Sequence, residues 1–177
     1  MSLLSGYYLV SSPKEAAVMD QAVLDGAVVV FAIVYYAFLC AVYLLRAFEY
    51  SRAELWLAPV FSLLLIPFIG AFIANILNGS DVYRPITIVP IIAYLAYDLW
   101  YRLLTKRKPV HHPKKWPAGL IVYLILLQAG SIGLNWYGYL VSKMYGQLLV
   151  ACYFIMLGFF GFYQGRHNKR TKATGRE

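Results

Sequence analysis

The residues most able to do chemistry in this sequence are Asp98 and Arg102, which lie in an apolar segment near the middle of the chain. Four positions separate them, so on a helix they share one face and are able to pair. A charged group inside an apolar segment is costly, and it is a functional candidate by default. We interpret the two residues in two ways. They form an ion pair that anchors a helix end, or they are catalytic candidates in which Asp98 is a proton-relay group or the counter-ion of a ligand.

Two adjacent histidines, His111 and His112, follow in a loop that is rich in lysine and arginine. Neighbouring side chains on a helix or strand point apart, and Pro109 and Pro113 bracket the pair in an extended loop. No cysteine or carboxylate stands at ligand spacing from them, so a metal site is the minor alternative. We predict a solvated basic loop that attracts anionic lipid headgroups.

Uncharged polar residues form a third pattern, in which they recur at the spacing of one helical face. The members are Gln128, Ser131 and Asn135 in one apolar segment, and Asn75 and Asn78 in an earlier one. We predict either that they form hydrogen bonds between helices or that they line an outward-opening pocket or pore. Asp25 and Gln147 fall at the same depth and complete the predicted polar ring.

The composition shows what kind of elements must hold these residues. Of the 177 residues, 61% are hydrophobic and 14% are charged, whereas a soluble domain has about half apolar and about 25% charged residues. A domain of this size buries too little surface to hide such an excess of apolar side chains. Lipid is the expected solvent, and the sequence predicts an all-α integral membrane protein.

Five segments are long and apolar enough to cross a bilayer, which takes about 20 residues. These spans are predicted at residues 22–45, 55–77, 85–104, 117–141 and 145–164. Only three residues separate the last two spans, which predicts a tight antiparallel hairpin. Around this transmembrane domain (22–165), we predict an extracytoplasmic interfacial segment at 1–21 and a basic tail at 166–177 that is disordered or associated with the membrane.

Lysine and arginine set the orientation, because they are enriched in cytoplasmic loops. If the N-terminus is outside, only Lys14, Arg84 and Lys143 of the 16 lysines and arginines lie outside. The prediction is a bundle of five transmembrane helices in the plasma membrane, with the N-terminus outside and the C-terminus cytoplasmic. Topology explains the net charge of +8, so nucleic acid is not an expected partner.

Three functional classes remain. The first is a non-catalytic subunit of a membrane complex or a homo-oligomer, in which Gly158, Gly161 and Gly165 pack against a partner helix. The second is a carrier, channel or binder for a small amphipathic molecule, which uses the polar residues of the predicted ring. The third is an enzyme acting on a lipid or quinone-like substrate through Asp98 or the histidine loop. Hydrolase and nucleotide-binding motifs are missing from the sequence, which weakens this last class, and no cofactor is predicted.

Overall fold

The computed structural model describes residues 20–48, 50, 57, 59–105 and 118–173, and this part of the chain is helical without any β-strand. Its helices are α1 (Gln21–Ala47), α2 (Leu65–Leu77), α3 (Tyr83–Thr105), α4 (Ala118–Val141) and α5 (Lys143–Ala173). The prediction of an all-α chain is confirmed for these residues. The predicted N-terminal segment, apart from its last two residues, and the histidine loop lie outside them.

The helices pack in a closed ring, in the order α1, α5, α4, α3, α2 and back to α1. Aromatic side chains fill much of the interior of this ring. The largest buried ones are Tyr35, Tyr36, Phe68, Tyr94 and Tyr137. Four of these five are tyrosines, so the core contains hydroxyl groups that need hydrogen-bond partners away from water.

Among the described residues, four stretches have the length and composition to cross a membrane. They are Gln21–Ala47, Pro59–Leu77, Ile121–Val141 and Lys143–His167. The predicted third span corresponds to α3, which is the right length but less apolar because it carries Arg84, Asp98 and two prolines. On its inner face Ile88 and Ile91 are fully buried.

The second predicted span differs from the structure in one respect, because it is not a single regular helix. Residues 59–62 are helical, a turn follows at 63–64, and α2 then begins at Leu65. Pro67 has no N–H to donate to the carbonyl oxygen of Leu63, four residues earlier. The Ile66 N–H donates to that oxygen instead, at 3.1 Å, which gives a local i→i−3 turn.

The predicted hairpin between the last two spans is confirmed, since Ser142 alone separates α4 from α5. The Ser142 hydroxyl accepts a hydrogen bond from the Tyr145 N–H at 3.1 Å and caps the start of α5. The other end of α5 corrects our prediction. The helix continues through Ala173, so most of the basic tail is helical and not disordered. Its association with the membrane stays a prediction.

Glycine allows α3 and α4 to approach closely. A Cβ atom added at Gly133 would collide with the carbonyl oxygen of Thr87 on α3, and one at Gly130 would lie 3.1 Å from the Ile91 Cα. Gly130 and Gly133 are thus close-packing positions between the two helices. This contact fixes how the polar residues of α4 are oriented toward the other helices.

Candidate functional site

A cluster of polar side chains occupies the end of the bundle where α1 and α3 begin and α2 ends. We call it the Asp25 cluster. Its members are Gln21 and Asp25 on α1, Asn75 on α2, Asn78 and Ser80 in the following turn, Arg84 on α3 and Tyr137 on α4. Four of the five helices therefore meet at one hydrogen-bonded network.

The carboxylate of Asp25 is the centre of this cluster and is only 6% exposed. Arg84 Nη1 lies 2.9 Å from Asp25 Oδ2 and 3.3 Å from Oδ1, so the two charges compensate each other. The Tyr137 hydroxyl and the Gln21 side-chain amide each donate to Oδ1 at 2.8 Å. The buried charge thus has the paired and hydrogen-bonded surroundings that a low-dielectric site demands.

Gln21 connects the carboxylate to the amides of α2. Its Nε2 donates to Asp25 and also to Asn75 Oδ1 at 3.2 Å. Its Oε1 accepts from the Ser80 hydroxyl at 2.7 Å and from Asn78 Nδ2 at 3.3 Å. Because both donors and both acceptor sites of this amide are used, the Gln21 side chain is held in one orientation.

Local backbone features bring these residues together. Asp20 caps α1 by accepting from the Ala22 N–H at 3.0 Å, which places Gln21 in the first turn. Gly79 adopts a φ of 63° just beyond α2, a conformation that ends helices and that glycine adopts without strain. The chain reverses there and carries Ser80 toward Gln21.

The predicted polar residues of α4 bond to tyrosines of two other helices. We call these residues, Gln128, Ser131 and Asn135, the Gln128 stripe. Gln128 Oε1 accepts from the Tyr153 hydroxyl on α5 at 2.7 Å. The Tyr36 hydroxyl on α1 is within hydrogen-bond distance of Asn135 Oδ1 at 2.9 Å and of the Ser131 carbonyl oxygen at 3.0 Å. Its single proton is shared between these acceptors or alternates between them. The stripe therefore connects α4 to α1 and α5.

The two groups of predicted ring residues do not form one surface. Asn75 and Asn78 belong to the Asp25 cluster, and Asn75 reaches α4 through the Tyr137 hydroxyl at 3.4 Å. Tyr137 follows Gln128 by about two and a half helical turns, so it projects from the opposite face of α4. Gln147, the last predicted member of the ring, is exposed.

Asp98 lies elsewhere in the bundle and is buried, with 3% exposure. It follows Tyr94 by one turn of α3, and the Tyr94 and Tyr123 hydroxyls are 2.7 Å apart. Arg102 lies one turn further along the same helix, but its side chain is outside the described residues, as are His111 and His112. The predicted Asp98–Arg102 pair, catalytic role and histidine metal site therefore stay predictions.

Tyr35 and Tyr36 are adjacent buried tyrosines that offer a matched test of these hydrogen bonds. Within the described residues, the Tyr35 hydroxyl forms no hydrogen bond of standard geometry and has only a weaker interaction with the Ser131 side chain, whereas Tyr36 bonds to α4. We expect Tyr36→Phe to lower the free energy of unfolding by about 0.6 kcal/mol and by at most about 1.7 kcal/mol, the average and the maximum for interhelical hydrogen bonds in a membrane protein. Tyr35→Phe is expected to be neutral or stabilising. Denaturant titration followed by circular dichroism checks this, and equal losses in the two variants would contradict it.

One face of α5 has room that the other helices do not fill. Gly158, Gly161 and Gly165 are exposed, and among the described residues a Cβ atom at any of them would have no neighbour within 4 Å. On α4, by contrast, the sites of Gly130 and Gly133 are filled by α3. α5 is also the least buried of the four helices that have membrane-spanning composition. We call this surface the α5 glycine face.

Several residues of these clusters were not among the predicted sites. Sequence reasoning treated Arg84 only as an external charge, and it missed Gln21 and Tyr137 altogether. A signal for the ion pair was present, because Asp25 and Arg84 both lie at the start of spans that run in the same direction. The tyrosine donors Tyr36 and Tyr153 had no comparable signal, since tyrosine is also frequent at membrane interfaces.

Comparisons of this chain with protein-family models, with curated proteins and with solved structures find no match. Its function therefore has to be inferred from its own side chains.

Proposed function

We propose that all five helices cross the plasma membrane, with the N-terminus outside and the C-terminus in the cytoplasm. Helix α3 has 23 residues, which corresponds to about 34 Å at 1.5 Å per residue and is enough to cross the hydrocarbon core. The ion pair with Asp25 lowers the cost of Arg84 at its start. A reporter fused after residue 177 is expected to be cytoplasmic, and an external reporter would contradict this topology.

We further propose that the protein is a non-catalytic subunit of a membrane assembly that associates through the α5 glycine face. The observation that supports this is that no described residue packs against Gly158, Gly161 or Gly165 on this face. Small residues at this spacing allow two membrane helices to approach closely. A glycine within a helix destabilises it, because glycine loses more conformational entropy on folding than other residues do. A partner helix that packs against these three glycines would offset this cost.

The polar interior favours this proposal over a binding or catalytic one. Gln128 and Asn135 are each hydrogen-bonded to a tyrosine of another helix, and the Asp25 carboxylate has three partners. Groups that are already paired within the protein hold helices together, and a substrate would have to displace these bonds at a cost. The Gln128 stripe and the Asp25 cluster therefore suit a structural role.

The association is testable in membranes that contain the protein's natural partners. In mild detergent, the 20.1 kDa chain is expected to migrate in a native gel as part of a larger assembly. Gly161→Leu is expected to release the chain as a monomer, because a leucine side chain would fill the space on the α5 glycine face that a partner helix would occupy.

Gly70→Leu is the matched control. Gly70 is also exposed, and no atom of the described part of the chain lies within 4 Å of an added Cβ, but this residue lies on α2. This variant should remain in the assembly. A wild-type chain that migrates as a monomer, or equal behaviour of the two leucine variants, would contradict the proposed function.

A further inference from the structure

We infer that the partner at the α5 glycine face is a membrane helix whose cytoplasmic continuation is acidic. This inference depends on the proposed function and specifies the chemistry of the partner. It combines two features of α5, the open glycines within the apolar part of the helix and the unbroken continuation of the helix through Ala173 into a cationic segment.

Helical register links these two features. Position 169 follows Gly165 by four residues and position 172 follows it by seven, so both positions lie on the same face of α5 as the glycines. Both are lysines, and residues 166–176 contain no aspartate or glutamate. A helix that packs along the glycine face and continues beyond the membrane would run beside these two positions.

Arg166 is positioned differently from these lysines. Its guanidinium lies 4.5 Å from the centre of the Phe48 ring, at the end of α1, in the geometry of a cation–π contact. Arg166 is thus engaged within the bundle. Of the basic residues between 166 and 173, those at positions 169 and 172 fall on the same face of the helix as the glycines.

Charge also argues against a second copy as the occupant. Two copies in one membrane have the same orientation, so packing through this face would place Lys169 and Lys172 of one copy beside those of the other. Like charges in register destabilise a helix pair, whereas opposite charges favour it and select the partner. A different membrane helix can pack against the α5 glycine face, and an acidic continuation of that helix would balance the positive charge of the two lysines.

The test uses the full-length chain in vesicles of neutral phosphatidylcholine. Two synthetic single-span peptides share one glycine- and alanine-containing apolar segment and carry either a glutamate-rich or a lysine-rich cytoplasmic extension. Association is measured by energy transfer between labelled protein and labelled peptide. We expect the acidic peptide to bind at least about tenfold more tightly than the basic one, as charge complementarity in partner choice implies.

Lys169→Glu/Lys172→Glu is expected to reverse this preference. Lys114→Glu/Lys115→Glu makes the same change in net charge elsewhere on the cytoplasmic side and should leave the preference unchanged. Equal association of the two peptides, including no association of either, would overturn the inference, as would self-association of the chain that exceeds binding of the acidic peptide.

Anionic lipid is tested as a competing occupant in vesicles that contain phosphatidylserine. If the lipid removes the preference for the acidic peptide, the cations serve the membrane surface and the inference is wrong. If Gly161→Leu disrupts the native assembly while the charge of the extension has no effect, the inference fails and the proposed function stands. The two ideas can therefore fail separately.

Discussion

Asp25→Asn is expected to lower the free energy of unfolding by about 2 kcal/mol, because hydrogen bonds to a charged group contribute about 1.5–3 kcal/mol. The substitution preserves the size of the side chain and one acceptor oxygen. It removes the negative charge that Arg84 Nη1 contacts at 2.9 Å. The loss is therefore electrostatic, with little change in packing.

The expected loss is smaller than for a fully buried pair, whose disruption costs about 3–5 kcal/mol. The Arg84 side chain is 23% exposed, so its guanidinium reaches polar surroundings when Asp25 no longer carries a charge. The hydroxyl of Tyr137 and the amide of Gln21 also lose a charged acceptor. Because these two donors are affected as well, the expected loss of stability is larger than the contribution of an exposed ion pair, which is about 0–1 kcal/mol.

Asp20→Asn is the matched control for this prediction. Asp20 is also an aspartate near the start of α1, but it is exposed and caps the helix. Asparagine caps helices about as well as aspartate, so this variant should unfold at the wild-type denaturant concentration. Denaturation in mixed micelles, followed by circular dichroism, measures both variants. Equal stability of Asp25→Asn and Asp20→Asn would show that the ion pair contributes nothing.

A double-mutant cycle separates the ion pair from its neighbours. If Asp25 and Arg84 act together, the losses in Asp25→Asn and Arg84→Gln will not add in the double variant. The double variant should be less destabilised than the sum of the two single losses, because it leaves neither charge unpaired. Additive losses would mean that each residue acts through other partners.

Hydrophobicity and length were enough to place most of the helices. Predicted spans at 22–45 and 117–141 correspond to α1 and α4 within two residues at each end. The prediction was less accurate where backbone hydrogen bonding decided the outcome. Pro67 interrupts the second span, and α5 continues past Gly165 because a basic sequence without proline is still able to form a helix.

Sequence periodicity found polar residues of the site but not their partners. It placed Gln128 and Asn135 on one face of a helix, yet it contained no information on which helices that face would meet. The ring order brings α5 beside α4, and α1 also contacts α4 across the ring. The partners are then Tyr153 and Tyr36. Asn75 was grouped with the stripe by depth alone, whereas depth does not fix the direction of a side chain around its helix.

Gly133→Ala is expected to destabilise the protein by about 1–3 kcal/mol, the cost of overpacking a well-filled interior. The added Cβ atom would overlap the carbonyl oxygen of Thr87, and the Pro90 side chain lies 3.7 Å away. A backbone oxygen cannot rotate aside as a side chain can. Helices α3 and α4 would have to separate, which would also loosen the contact between Gly130 and Ile91.

Gly70→Ala makes the same chemical change at an exposed helical position, where the added atom has no neighbour within 4 Å in the part of the chain that the structure describes. It should be neutral or stabilising by up to about 1 kcal/mol, because alanine favours a helix more than glycine does. The free energies of unfolding of the two variants should therefore differ by at least about 1 kcal/mol, with Gly133→Ala the less stable. If Gly133→Ala is as stable as Gly70→Ala, then α3 and α4 do not meet at Gly133, and the orientation of the Gln128 stripe toward α1 and α5 loses its structural basis.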